Sequence, residues 1–164
     1  MLEVGTLAGY STIWLGRAVA PDGRVISLEA DPKHAAIARD NVARAGLQRV
    51  VDVRVGRALD TLPNLTDAAP FDLVFIDADK PNVPEYFEWA IRLAWPGALI
   101  LVDKVVRDGA LVDDGTTDSS VLGVRRLHEL LSRDDRVSAT TIQIVGAKGY
   151  DGMTLAIVNG HRGA

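Results

Sequence analysis

The chain has 164 residues, 48% of them hydrophobic and 24% charged, and this is long enough to bury a core as a single domain spanning residues 1–164. A formal net charge of −4 gives no general attraction to nucleic acid or anionic lipid, and the absence of cysteine excludes a disulfide framework and any thiolate metal site. No apolar stretch approaches the roughly 20 residues of a membrane span and no secretory signal opens the chain, so a cytoplasmic location is expected.

In chain order, apolar β-rich runs alternate with helical patterns, the sequence form of a parallel sheet wrapped by helices. The first strand ends at Val4 and leads into a glycine-containing turn. Tyr10–Val19 carries Ile13, Trp14, Leu15 and Ala18 at helical spacing and stops near Pro21-Asp22-Gly23. Val25–Leu28 reads as the second strand, closed by Glu29, and Asp31-Pro32 caps a helix that runs to about Ala45 before Gly46. Val51–Val55 is the third strand, with a short helix expected at Ala58–Leu62. Phe71–Ile76 is a nearly continuous apolar strand, expected to be covered on both faces.

Pro84–Trp95 reads as the next helix, closed by Pro96-Gly97, and Ala98–Val102 as the fifth strand. A polar stretch from Lys104 to Asp118 is long enough to expect function there, and Ser119–Arg133 has helical spacing. Val137–Val145 and Met153–Val158 are joined by seven residues, too few for a helical crossover, which predicts an antiparallel hairpin. The fold class expected is therefore α/β: a Rossmann-like sheet, mostly parallel, with a C-terminal antiparallel hairpin.

The chemistry gathers at strand ends. Glycines between Gly5 and Gly9 let backbone approach a ligand, and the following helix offers free N–H groups. Their spacing is not the Gly-x-Gly-x-x-Gly that cradles a pyrophosphate. Glu29, at the end of strand two, can accept both hydroxyls of a ribose; with the glycine turn this is compatible with NAD or S-adenosylmethionine. Glu3, an acid just inside the turn, would repel a pyrophosphate but can take the amino group of a methionine moiety, which favours the sulfonium cofactor. At the other end, Asp77 and Asp103 close adjacent strands and can supply half of an oxygen site for a divalent cation, with Lys80 able to reach the same cleft as a base.

Four segments carry a family resemblance: Leu2-Glu-Val-Gly-Thr-Leu-Ala-Gly-Tyr-Ser-Thr12, Leu28-Glu-Ala-Asp-Pro32, Phe71-Asp-Leu-Val-Phe-Ile-Asp-Ala-Asp-Lys80 and Leu101-Val-Asp-Lys-Val-Val-Arg-Asp-Gly109. With the Tyr150–Ala156 segment, they resemble the catechol and caffeoyl-CoA O-methyltransferases over nearly the whole chain. The resemblance implies S-adenosylmethionine held by Glu3, Gly5, Thr6, Gly9, Ser11 and Asp77, the last also catalytic, with ribose on Glu29 and adenine beside Gly56 and Ala58. It implies Mg2+ or a similar ion on Asp77 and Asp103, Lys80 as the base, a small-molecule hydroxyl acceptor of phenolic or catecholic type, and a homodimer.

Two departures accompany it. Lys104 stands where the family usually has an asparagine ligand, and an ammonium has donors only. Either water-completed, weak metal binding or replacement of the metal by Lys104 follows, and impaired or absent metal dependence is the favoured expectation. The family's helices before strand one are also missing, so an exposed cofactor cleft or an inactive, cofactor-binding domain is an alternative. An NAD-dependent oxidoreductase is the other alternative, opposed by the glycine spacing and the hairpin.

The remaining residues say less. His34, His128 and His161 share no ligand spacing and are expected at the solvated surface. Trp14, Trp89 and Trp95 are expected to pack on helices, Trp14 nearest the cofactor. Arg107, Asp113 and Asp114 are candidates for touching acceptor. The short pairs Arg44/Arg49 and Arg125/Arg126 form no nucleic-acid stripe, and strand four lacks the Asn/Asp-Pro-Pro-Tyr/Phe turn of base-amino methylases.

Overall fold

The computed structural model describes residues 1–147 and 149–160; His161 lies outside the described residues. Seven strands form one sheet: β1 (Leu2–Val4), β2 (Val25–Glu29), β3 (Val51–Val55), β4 (Phe71–Ile76), β5 (Ala94–Asp103), β6 (Val137–Gly146) and β7 (Gly149–Val158). Their spatial order is β3-β2-β1-β4-β5-β7-β6, with parallel pairing except at β7, which runs antiparallel to both neighbours. Strand order reverses between β1 and β4, and ligands of open α/β sheets bind outside the strand ends at that point.

Five helices accompany the strands: α1 (Tyr10–Ala18), α2 (Pro32–Arg44), α3 (Ala58–Thr61), α4 (Val83–Leu93) and α5 (Ser119–Leu131). Asp31 caps α2 by accepting from the Lys33 N–H at 2.7 Å, and Asp118 caps α5 through the Ser120 N–H at 2.7 Å. Alternation along the strands sorts side chains to two faces. Leu2, Val4, Ile26, Leu28, Val74, Ile76, Ile100 and Val102 join residues of α4 and α5 in the larger core. Val25, Val51 and Val53 meet Ala35, Ala38 and Val42 of α2 in a second core, with Ile13 and Leu15 of α1 against it.

Several expectations need correction. The two faces of β4 differ: Phe71, Val74 and Ile76 are buried in the larger core, whereas Leu73 and Phe75, with Leu99, Leu101, Met153 and Leu155 on the strands beyond, are partly buried and belong to neither core. The hairpin is tighter and longer than expected, because the glycine-rich link itself pairs, Gln143 with Gly152 and Gly146 with Gly149. β5 begins at Ala94 rather than Ala98, since Ala94 pairs with Phe71 ahead of a register shift. The polar stretch after β5 contains a 3-10 segment, Arg107–Val112, interrupted by left-handed Asp108 and Gly109.

Candidate functional site

The largest described cavity, about 1130 Å3, opens at the carboxyl ends of β1, β2, β4 and β5 and continues along α1. Gly5 determines how closely its walls approach. It has φ +103°, and a Cβ there would overlap the Asp77 carbonyl oxygen. Donation from Gly5 N to Leu28 O at 3.0 Å and from Asp77 N to Val4 O at 2.9 Å locks the three strand ends together. Gly5, Thr6, Ser11, Glu29, Asp77 and Asp103 all line the cleft, as do Trp14 and Lys104.

Glu29 is nearly buried and accepts from the Leu7 N–H at 2.7 Å and the Asp31 N–H at 2.9 Å. An ionised carboxylate has about four acceptor positions, so capacity remains toward the cleft for a diol. Leu7 reaches it from a left-handed backbone, φ +49°. The first turn of α1 carries no side-chain cap and no acidic residue, which leaves its N–H groups available beside the turn.

Glu3 does not line the cleft. It is fully buried beneath the turn, where Ser11 and Thr12 each donate a hydroxyl at 2.5 Å and Ser27 donates a third. Thr6 extends the network to Ser27 at 2.5 Å. Burial pushes the Glu3 carboxyl above the usual range, and the hydroxyl donors offset this only in part. Glu3 ties α1, β2 and the turn together, and Ser11 and Thr6 are the members of the network that line the cleft. Gly9 and Ala58 do not line the cleft either. Gly9 holds the αL position ahead of α1 against Ala38, and Ala58 packs on the larger core.

At the opposite wall Asp77 is clamped. Its Oδ1 accepts from Lys80 Nζ at 3.2 Å and its Oδ2 from Lys104 Nζ at 2.5 Å, and Lys104 also lies 3.4 Å from Asp103 Oδ2. Burial raises the Asp77 carboxyl, but the two ammonium groups outweigh it and hold the group below its ordinary value. The two lysines diverge. Lys80 is 5% exposed and does not line the cleft; burial pushes it below the ordinary lysine range despite Asp77. Lys104 is half-exposed, and although desolvation lowers it, the bond to Asp77 holds it above that range.

This donor set does not fit a divalent cation. Both oxygens of Asp77 carry ammonium groups, and no cluster of three or more His, Asp or Glu residues able to hold a metal is present among the described residues. Other expectations also shift. Arg107, Asp113 and Asp114 do not line the cleft. Asp151 of β7 instead pins the loop after β5, accepting from the Val106, Arg107 and Gly152 N–H groups at 2.8 to 3.0 Å. His34 does line the cleft, 3.8 Å from Glu29. His128 is half-buried with Nε2 unpaired rather than solvated, and Trp95 is exposed on β5 rather than packed on a helix.

A reversed seventh strand, a glycine turn without pyrophosphate spacing and an acid at the end of β2 in the cleft fit a class I methyltransferase domain. A family profile described as O-methyltransferase matches residues 1–158, and the chain belongs to that family. It is 55% identical over 160 residues to a catechol O-methyltransferase of Niastella koreensis, covering 96% of this chain and 72% of that protein. It is 52% identical over 158 residues to a catechol O-methyltransferase of Mycobacterium tuberculosis, covering 96% and 71%.

Among solved structures, the O-methyltransferase TomG of Streptomyces achromogenes, involved in tomaymycin synthesis and solved with S-adenosylmethionine, superposes with a TM-score of 0.94 at 53% identity, covering 97% of this chain and 72% of that one. An O-methyltransferase of Bacillus cereus in complex with S-adenosylhomocysteine gives 0.94 at 53%, covering 96% and 73%. The chain is an S-adenosylmethionine-dependent O-methyltransferase.

Proposed function

We propose that the chain, as one catalytic domain, methylates a phenolic or catecholic hydroxyl of a small molecule, with Lys80 as the base. The observation that carries this reading is the cluster at the β4 and β5 ends, across the cleft from Glu29, in which buried Lys80 and half-exposed Lys104 meet the two oxygens of Asp77 at 3.2 and 2.5 Å, burial lowering the first lysine and the bond to Asp77 raising the second. Opposed shifts of paired groups are how one site assigns proton acceptor and charge donor. The names of the relatives in the two bacteria support the acceptor class.

Glu29 holds the ribose hydroxyls and Ser11, anchored from beneath by Glu3, faces the methionine portion. Asp77 keeps Lys80 Nζ directed at the cleft wall. S-adenosylmethionine, when bound, supplies a sulfonium methyl: the acceptor oxygen forms the new C–O bond as the C–S pair leaves with sulfur. Lys80 Nζ first gives up its own proton to solvent, a loss that its burial favours, then takes the acceptor's proton and later returns it to solvent. The chain's main contribution is alignment, since the sulfonium is already a good leaving group. The proposal extends to a cytoplasmic homodimer, the setting expected from the sequence.

Transfer of labelled methyl from S-adenosylmethionine to catechol tests the reading. Lys80→Met is expected to lower kcat by a factor on the order of 10²–10⁴ with S-adenosylhomocysteine affinity retained. An undiminished rate in that variant would remove Lys80 as the base, and absence of transfer to any phenol would remove the acceptor class.

A further inference from the structure

We propose that Lys104 is a built-in cation: its ammonium, held between Asp77 and Asp103, binds the acceptor's hydroxyl oxygen and takes the place of a divalent metal ion at this site. The inference deepens the proposed O-methyl transfer and rests on it for the identity of the acceptor. Three observations carry it.

The first is saturation. Asp77 lies at the end of β4, where its carbonyl faces Gly5, and each of its oxygens already accepts from an ammonium, Lys80 at 3.2 Å and Lys104 at 2.5 Å. A cation entering here would have to displace one ammonium and would face the charge of both. The second is aim. Lys104 lines the cleft with about half of its side chain exposed, whereas Lys80 is buried behind Asp77. An ammonium has three donors. Asp77 takes one and Asp103, at 3.4 Å, draws a second, which leaves one for a ligand in the cleft.

The third is backbone. Lys104 has φ +59°, a left-handed conformation that costs a non-glycine residue about 1 kcal/mol or more. The fold sustains it because the next residue is anchored: Val105 is fully buried and its N–H donates to Gly152 O at 3.1 Å. That backbone turn is what returns the Lys104 side chain over the ends of β4 and β5. A positive charge bound to the acceptor oxygen lowers the cost of ionising it, the same service a metal ion performs. No proton is lost by Lys104 in the step; Lys80, having first released its own proton to solvent, takes the acceptor's, and the Lys104 ammonium remains bound to the oxygen until the methyl ether forms.

The test uses Mn2+ alone, followed by electron paramagnetic resonance, on the intact protein and on Lys104→Asn, with S-adenosylhomocysteine calorimetry confirming that both fold. The wild type is expected to leave the free-ion signal unchanged at millimolar Mn2+, while Lys104→Asn removes about one ion per chain. In labelled methyl transfer to catechol, the wild type should keep its rate within about twofold in excess chelator. Lys104→Asn should lose activity in chelator and regain it with Mg2+. Lys104→Met should lose on the order of 10²-fold with or without Mg2+.

One Mn2+ bound per wild-type chain, or wild-type activity abolished by chelator and restored by Mg2+, would overturn the inference. So would Lys104→Met turning over at the wild-type rate in chelator. If no variant methylates catechol, the acceptor assignment fails, and the Mn2+ titration still decides the metal question separately.

Discussion

Two carboxylates stand at neighbouring strand ends, Glu3 on β1 and Asp77 after β4, and the protein treats them in opposite ways. Glu3 is fully buried, meets only hydroxyl donors, and is pushed above its ordinary range. Asp77 is a quarter exposed, is held by two ammonium groups, and is pushed below its own. The first arrangement serves rigidity: neutral donors from Ser11, Thr12 and Ser27 fix three elements around one point. The second keeps charges of both signs at the rim of the cleft, where the proposed chemistry takes place. A cationic methyl donor and an oxygen acceptor need both, one wall that keeps its shape and one that carries reactive charge.

Gly5 is the joint between the two regions, and the largest effect is expected there. Gly5→Ala adds a Cβ at φ +103° and into the Asp77 carbonyl, costing about 3 kcal/mol or more and abolishing cofactor binding; thermal melts and S-adenosylhomocysteine calorimetry measure it. Next come the separate walls. Ser27→Ala removes a hydroxyl from buried Glu3 and from Thr6, and urea unfolding should show a loss of roughly 1.5–3 kcal/mol. Lys104→Met removes a half-exposed ion pair and should cost no more than about 1 kcal/mol in the same experiment while damaging turnover far more. Equal stability losses would erase the distinction between a structural wall and a chemical one.

The smallest effect lies in pH dependence, where the two acids have opposite signs. Glu3 has a raised folded-state value, so its share of stability is full below the ordinary glutamate value and is lost as pH climbs through the raised one. Asp77 has a depressed value, so its share is present above the ordinary aspartate value and is lost as pH falls through the depressed one. Melts across the pH range should show Glu3→Gln flattening the neutral side and Asp77→Asn flattening the acid side. Both variants flattening the same side would contradict the assignment.

The sheet, its terminal hairpin and the strand-end positions of Glu29, Asp77 and Asp103 were legible in the sequence because they depend on local periodicity, caps and short connections. The role of Glu3 was not, since its three hydroxyl partners come from α1 and β2, and only packing brings them to one point. The difference between the two faces of β4 was equally hidden: an apolar strand reads the same whether its sides are buried equally or not. Lys104 was visible as an unusual residue beside an acid, but its reach to Asp77 depends on a left-handed backbone that a lysine does not announce. The spacing of Lys80 from Asp77 was readable as a candidate base, but not its burial behind that residue.

The most direct measurement is a crystal structure with S-adenosylhomocysteine and catechol, grown with millimolar Mn2+. The account predicts ribose on Glu29, the Lys104 ammonium between Asp77 and Asp103 in contact with a catechol oxygen, and no anomalous Mn2+ peak there. An ion on Asp77 and Asp103 with Lys104 turned away to solvent would contradict it.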